Sequence, residues 1–234
     1  MLYSRRNVLS ATAAVTVFGA VGARAQDACE VINADQQKAT TPEAALADIK
    51  AGNERFVSGK TVNCDLRQQV KATAAGQYPI AAIVGCIDSR VPPELVFDQR
   101  LGDIFAARIA GNFVNADIIG SLEFACKVAG AKAIIVLGHS ECGAIKGAID
   151  QVKLGNLTEM LKKIEPAIAA TKIEGERNSK DKKLVQSVAD TNAKLAAQMI
   201  LDQSPVLKEM ADKKEIAVVA AMHDVSTGKV TFFG

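Results

Sequence analysis

Short apolar runs separated by helical patterns constrain the fold of this 234-residue chain more than any other feature. Residues 80–86 and 133–138 are apolar or glycine at every position, and residues 104–109 predict a third strand. Such runs are typical of parallel strands that are buried on both faces. The sequence therefore predicts an α/β fold with a mostly parallel central sheet and helices on both faces.

Helix and turn signals complete the predicted architecture. Thr41 as N-cap and Pro42 in the first turn predict a helical arm on the N-terminal side that continues to residue 56. A further strand is predicted at residues 216–225, followed by a turn at residues 226–229 and a C-terminal hairpin with residues 230–233. Other helices are predicted from Pro92 onward and over residues 116–129, 142–152, 157–171 and 182–203.

The charge balance argues against nucleic acid as a partner. The whole chain carries a formal net charge of +2. Residues 1–25 include Arg5, Arg6 and Arg24 and no acidic side chain, so the rest of the chain is nearly neutral. A nucleic-acid-binding domain is expected to be basic. Because no repeat and no flexible linker divides residues 26–234, we expect them to form a single domain.

The first 25 residues are predicted to be an export signal. Arg5-Arg6 precedes a weakly apolar stretch, and the small residues of Ala23-Arg24-Ala25 precede a cleavage point before Gln26. Paired arginines favour the twin-arginine route and a periplasmic location. An ordinary secretory signal and an uncleaved anchor remain open, although the apolar stretch is shorter than the ~20 residues a spanning helix needs. We expect no membrane association after signal removal.

Potential metal ligands follow two of the predicted strands. Cys86 ends the first strand, and His139 and Cys142 follow the strand at residues 133–138. Ligands of open parallel sheets bind at the carboxyl ends of the strands, so these side chains converge if the two strands are neighbours. Two thiolates and one imidazole are a zinc ligand set. Taken alone, Cys86 is equally consistent with a small buried core residue.

Asp88 and Arg90 lie beside the first of these ligands. Arg90 is a permanent cation that can hold a carboxylate through two parallel hydrogen bonds. Two arrangements remain open from the sequence. If Arg90 holds Asp88, a fourth zinc position is free for water, whereas a released Asp88 becomes a fourth ligand and closes the site.

These motifs make the chain similar to a known family. Cys-x-Asp-Ser-Arg at residues 86–90 and His-x-x-Cys-Gly at residues 139–143 closely resemble the motifs of β-class carbonic anhydrases. The resemblance also includes residues 45–59, 98–103 and 108–112 and extends to the final hairpin. It implies one zinc ion per chain and the reversible hydration of carbon dioxide to bicarbonate and a proton by zinc-bound hydroxide. It also implies a homodimer or homotetramer.

Two other functions remain open at this point. Members of the same family hydrolyse carbon disulfide or carbonyl sulfide, and a zinc-binding protein without turnover would need only the three ligands. The second alternative is disfavoured because storage of zinc does not need a dyad that orients water.

The resemblance also assigns individual residues. Cys86, His139 and Cys142 match the zinc ligands, and Asp88 and Arg90 match the catalytic dyad. Positions that match the family's substrate site are Gln77, Phe105, Ala110, Phe124 and Gly143. In the family the glutamine reaches across the dimer interface. A subgroup has an inhibitory bicarbonate site built around tryptophan; this chain has no tryptophan, so we expect the open form.

Four side chains lie outside this set. Cys29 and Cys64 lie beyond the predicted sheet, in a compartment that permits disulfides, and two alternatives remain open: a disulfide or two free thiols. Cys126 is predicted to be a core residue of a helix, and His223 is predicted to pack within its strand.

Overall fold

A computed structural model describes residues 29–172 and 177–233. Its centre is a five-stranded sheet in the order β2-β1-β3-β4-β5. The strands are β1 (Ala81–Gly85), β2 (Ile104–Arg108), β3 (Ala133–His139), β4 (Ala217–His223) and β5 (Val230–Phe233). Strands β1 to β4 pair in parallel, and β5 pairs with β4 antiparallel. The predicted mostly parallel sheet and the C-terminal hairpin are confirmed. The predicted export signal lies outside the described residues.

Helices cover both faces of the sheet. They are α1 (Ala34–Ala39), α2 (Pro42–Val57), α3 (Leu66–Thr73), α4 (Pro93–Val96), α5 (Ala116–Glu123), α6 (Gly143–Ile149), α7 (Gly155–Leu161), α8 (Glu165–Ala170), α9 (Lys182–Gln203) and α10 (Pro205–Asp212). Among the described residues, none of these helices combines the length and the apolar character that a membrane crossing requires.

Alternate side chains of the sheet belong to two separate hydrophobic cores. On β1, Ala81 and Ile83 pack in the core that contains Ile49 of α2. Ala82 and Val84 point to the opposite face, where the core includes side chains of α9. Every residue of β1 and β3 is buried, as the continuous apolar runs predict.

Local signals explain where the two longest helices begin. The Thr41 hydroxyl accepts a hydrogen bond from the Ala44 amide, and Pro42 occupies the first turn of α2, as predicted. Helix α9 has the predicted bounds, and the Asp181 carboxylate caps it by accepting from the amides of Lys183 and Leu184.

The segment predicted as one helix at residues 157–171 is instead divided. Helix α7 passes through a 3-10 turn at Lys162–Ile164 and then into α8. Pro166 lies in the first turn of α8, where its missing N–H is tolerated, whereas the middle of a continuous helix would lose a hydrogen bond there. The proline therefore accounts for the break.

The helix predicted at residues 116–129 changes its winding before it ends. After α5, residues Phe124–Val128 form a π-helical turn in which the Ala129 amide donates to the Phe124 carbonyl oxygen. Gly130 then adopts a φ of 85°, which ends the helix as predicted. The buried Cys126 lies in this turn, so its predicted core position is confirmed.

A disulfide ties the N-terminal segment to the loop before α3. Cys29 and Cys64 are bonded, and their Cα atoms lie 5.5 Å apart across a sequence separation of 35. Of the two alternatives left open by the sequence, the structure contains the bridge. It fastens the residues that precede α1 to the body of the protein.

We expect Cys64→Ser to lower the free energy of unfolding by about 2–4 kcal/mol, since a bridge over a loop of this length restricts the unfolded chain. Cys29→Ser and the double variant should give the same loss, because each removes the same bond. Thermal unfolding of the three variants and of the reduced native protein measures this. Equal melting temperatures for native protein and variants would show that the bridge does not stabilise the fold.

Candidate metal centre

Pairing of β1 with β3 brings the predicted ligands to one edge of the sheet. Gly85, the last residue of β1, lies opposite Leu137, so Cys86 leaves the sheet beside His139 at the end of β3. Glu141 then adopts a left-handed φ of 57°, and the turn returns Cys142 to the same place. One ligand atom from each of Cys86, His139 and Cys142 lies within 4.8 Å of the others, and all three residues are buried.

The orientation of His139 leaves one ring nitrogen directed at this cluster. Its Nδ1 lies 2.9 Å from the Ser140 carbonyl oxygen, which can only accept, so Nδ1 carries the proton. Nε2 then has a free lone pair, and it is buried without a hydrogen-bond partner among the described residues. A buried unpaired nitrogen is costly, and a metal ion removes that cost.

Cys86 is held by a backbone amide from the segment after β2. The Gly111 N–H donates to Cys86 Sγ at 3.3 Å, and the buried Asn192 side chain of α9 donates to the Gly111 carbonyl at 2.8 Å. Gly111 has a φ of 81°, and a Cβ there would lie 2.7 Å from Ile164. Only glycine fits this close approach without strain.

The two thiols differ in acidity. The Cys142 thiol and the Gly111 amide, which stabilise a thiolate at Cys86, lower the pKa of Cys86. The same interaction with Cys86, together with burial, raises the pKa of Cys142. The pair therefore favours a thiolate at Cys86, and a divalent cation would favour a second one at Cys142. The donor set fits zinc, whose sites combine thiolates with imidazole.

The predicted dyad stands beside these ligands as a closely bonded ion pair. Arg90 Nε donates to Asp88 Oδ1 at 2.9 Å, and Arg90 Nη2 donates to Oδ2 at 2.8 Å. This guanidinium lowers the pKa of Asp88, which is therefore ionised at neutral pH. Asp88 Oδ2 lies 3.9 Å from His139 Nε2, so the carboxylate faces the cluster while Arg90 holds it. Of the two arrangements left open by the sequence, the structure has the one in which Arg90 holds Asp88.

The predicted substrate residues do not all lie at this edge of the sheet, since Phe105 pairs with Ala82 near the amino end of β1. The Phe105 and Phe124 rings meet edge to face with centroids 6.2 Å apart, and half of the Phe124 surface is exposed. Ala110 is half-buried and Gly143, beside Cys142, is exposed. Gln77 is exposed in the loop before β1 and makes no hydrogen bond within the described residues. The structure of one chain does not bring Gln77 to the three ligands.

Sequence reasoning missed the side chains that support the ligands. Arg108 and Asn192 contact the backbone around Cys86, and neither was singled out. A charged residue at the carboxyl end of a parallel strand was the available signal for Arg108.

His223 is buried in β4 opposite His139, where burial lowers its pKa to about 4 and keeps it neutral. This position agrees with the predicted packing role.

The chain is similar in sequence to known proteins. The family model described as carbonic anhydrase matches residues 81–230. The chain is 34% identical to carbonic anhydrase 2 of Mycobacterium tuberculosis H37Rv over 196 residues, which are 81% of this chain and 92% of that protein. It is 31% identical to the carbonic anhydrase of Mycolicibacterium smegmatis over 198 residues, covering 82% and 93%.

Solved structures of β-carbonic anhydrases have a fold similar to that of this chain. A tetrameric β-carbonic anhydrase from Sordaria macrospora superimposes with a TM-score of 0.61 at 25% identity, covering 69% of this chain and 83% of that one. The β-carbonic anhydrase CcaA superimposes with a TM-score of 0.63 at 25% identity, covering 80% and 87%.

We expect Cys86→Ser to lose its metal, because a serine hydroxyl is a much poorer zinc ligand than a thiolate. Zinc content per chain, measured after dialysis, should fall from one to nearly zero. The matched control is Cys126→Ala, which removes a buried thiol outside the cluster and should keep its zinc. Full zinc occupancy in Cys86→Ser would remove this residue from the ligand set.

Proposed function

This chain belongs to the β-class carbonic anhydrase family, and we infer that it catalyses the reversible hydration of carbon dioxide to bicarbonate and a proton. The observation that carries this function is the Asp88–Arg90 ion pair, in which Asp88 Oδ2 lies 3.9 Å from Nε2 of the ligand His139. A protein that only stores zinc would not need a carboxylate held in this way.

Zinc is the cofactor, and Cys86, His139 and Cys142 are the residues that would hold it. When bound, it supplies a Lewis acid that makes water a nucleophile near neutral pH. The protein contributes the orientation of the donors. The Ser140 carbonyl fixes the His139 tautomer, and the Gly111 amide fixes Cys86 Sγ.

Asp88 is proposed to orient the attacking water. Its Oδ2 accepts a hydrogen bond from that water, which directs an oxygen lone pair toward the carbon of carbon dioxide. Asp88 can do this because the Arg90 guanidinium keeps it ionised and fixes both of its oxygens. Arg90 also prevents Asp88 from moving into the position that the water needs.

The substrate site is proposed to combine an apolar wall with a few polar groups. Carbon dioxide has no charge, so the rings of Phe105 and Phe124 and the methyl group of Ala110 suit it. The exposed backbone of Gly143 and the Gln77 side chain are proposed to contact the oxygens of the forming bicarbonate. Because Gln77 is exposed and free of hydrogen bonds within its own described chain, its proposed place is the site of a second copy.

A homodimer or homotetramer is therefore proposed. Exposed apolar side chains support it: Ile87, Phe124 and Val128 are 60%, 52% and 72% exposed. Burial of such side chains between copies stabilises an oligomer. The similar enzyme from Sordaria macrospora is a tetramer.

Residues 1–25 are proposed to direct export to the periplasm by the twin-arginine route. The Cys29–Cys64 disulfide supports an oxidising compartment, since such bonds rarely persist in the cytosol. Residues 26–234 are then the mature protein, a single domain without membrane association.

We expect Arg90→Ala to keep one zinc per chain and to lower kcat for carbon dioxide hydration by roughly 10–100-fold. Losses of this size are usual when a residue that orients a group beside a metal centre is removed. The loss follows because Asp88 is no longer held away from the metal position. Stopped-flow hydration assays and zinc analysis on the same sample measure both. The control is Arg177→Ala, an exposed arginine in the segment before α9, which should keep the native rate. A near-native rate in Arg90→Ala would reduce Arg90 to a structural role.

A further inference from the structure

Arg108 makes two contacts with the loop that carries both a metal ligand and the dyad acid. It is the last residue of β2, and its Nε donates to the Cys86 carbonyl oxygen at 2.9 Å. Its Nη2 donates to the Asp88 carbonyl oxygen at 2.7 Å. One planar guanidinium thus spans the backbone on both sides of Ile87.

The other hydrogen bonds that Asp88 accepts come from its own loop. The Arg90 amide and guanidinium donate to the Asp88 carboxylate, and the Val91 amide donates to the Asp88 carbonyl. These bonds shape the turn but do not connect it to the sheet. Arg108 makes that connection, because β2 is paired along its length with β1.

We propose that Arg108 is a positioning residue that fixes the backbone spacing between Cys86 and Asp88, so that the Asp88 carboxylate is presented to the metal centre. The inference rests on the proposed carbonic anhydrase activity and names a residue that acts through its neighbours. A guanidinium suits this task because its donors lie in one rigid plane and can meet two carbonyl oxygens at once.

The surroundings separate this role from a general contribution to folding. The Arg108 side chain is exposed, so its removal leaves no buried cavity. Cys86 Sγ keeps its bond from Gly111, which Asn192 supports independently. Loss of Arg108 should therefore loosen Asp88 while the three metal ligands remain together.

The first test is Arg108→Ala in the zinc-loaded, full-length protein. We expect zinc to remain at one per chain and kcat to fall by about 10–100-fold, as when a residue that orients a ligand is lost. Guanidine hydrochloride at a low, non-denaturing concentration should restore part of the rate, whereas sodium chloride at the same concentration should not. The control is Arg67→Ala, which removes an exposed arginine of α3 and should keep the native rate.

The second test measures the loop directly and does not depend on activity. Amide hydrogen exchange of residues 87–91 should be faster in Arg108→Ala than in the native protein, and exchange in β3 should be unchanged. Arg108→Lys should give an intermediate rate of catalysis and of exchange, because a single ammonium group cannot span both carbonyl oxygens with the same planar geometry.

Three results would overturn the proposal: a native kcat in Arg108→Ala, a lowered kcat with unchanged exchange at residues 87–91, or native behaviour of Arg108→Lys. If Arg108→Ala fails to fold, the kcat and the amide exchange of Arg108→Lys test the proposal in its place. Failure of the proposed function is a different result, since native protein loaded with zinc would then not hydrate carbon dioxide.

Discussion

Parallel pairing of β1 with β3 is the constraint on which the rest of the structure depends. Cys86 and His139 are 53 positions apart in the sequence, and they meet because these two strands run side by side and end at the same edge. The pairing is maintained by burial: both strands are covered on two faces, by α2 and α4 on one side and by α9 on the other. A one-residue slip of β3 would turn His139 away from the edge and disperse the ligands.

Polar contacts then convert this edge into a precise site. Neighbouring groups hold two of the ligands and the dyad acid: the Ser140 carbonyl beside His139 and Arg90 beside Asp88 come from the same turns, and the Gly111 amide reaches Cys86 from the segment after β2. Arg108 adds a connection from β2 to the same loop. A reacting group that is fixed before substrate arrives does not have to be reorganised during the reaction, which is the main source of electrostatic catalysis.

The sequence alone predicted the sheet, the hairpin and the three ligands, because apolar runs and the spacing of cysteine and histidine are local signals. It did not predict the break at Pro166, since the apolar period continues through it. It also did not predict helices α1, α3 and α10, although Ser204 and Pro205 carry the usual start signal of α10. Arg108 and Asn192 were missed for another reason. Their roles depend on contacts between elements 20 or more residues apart, which only the folded chain brings together.

The most direct test of this account is a crystal structure of the zinc-loaded protein, with data collected on both sides of the zinc absorption edge. The account predicts an anomalous peak among Cys86, His139 and Cys142, with Asp88 still paired with Arg90 and outside the coordination sphere. An anomalous peak elsewhere, or Asp88 released from Arg90 and bound to the metal in the resting enzyme at neutral pH, would contradict it.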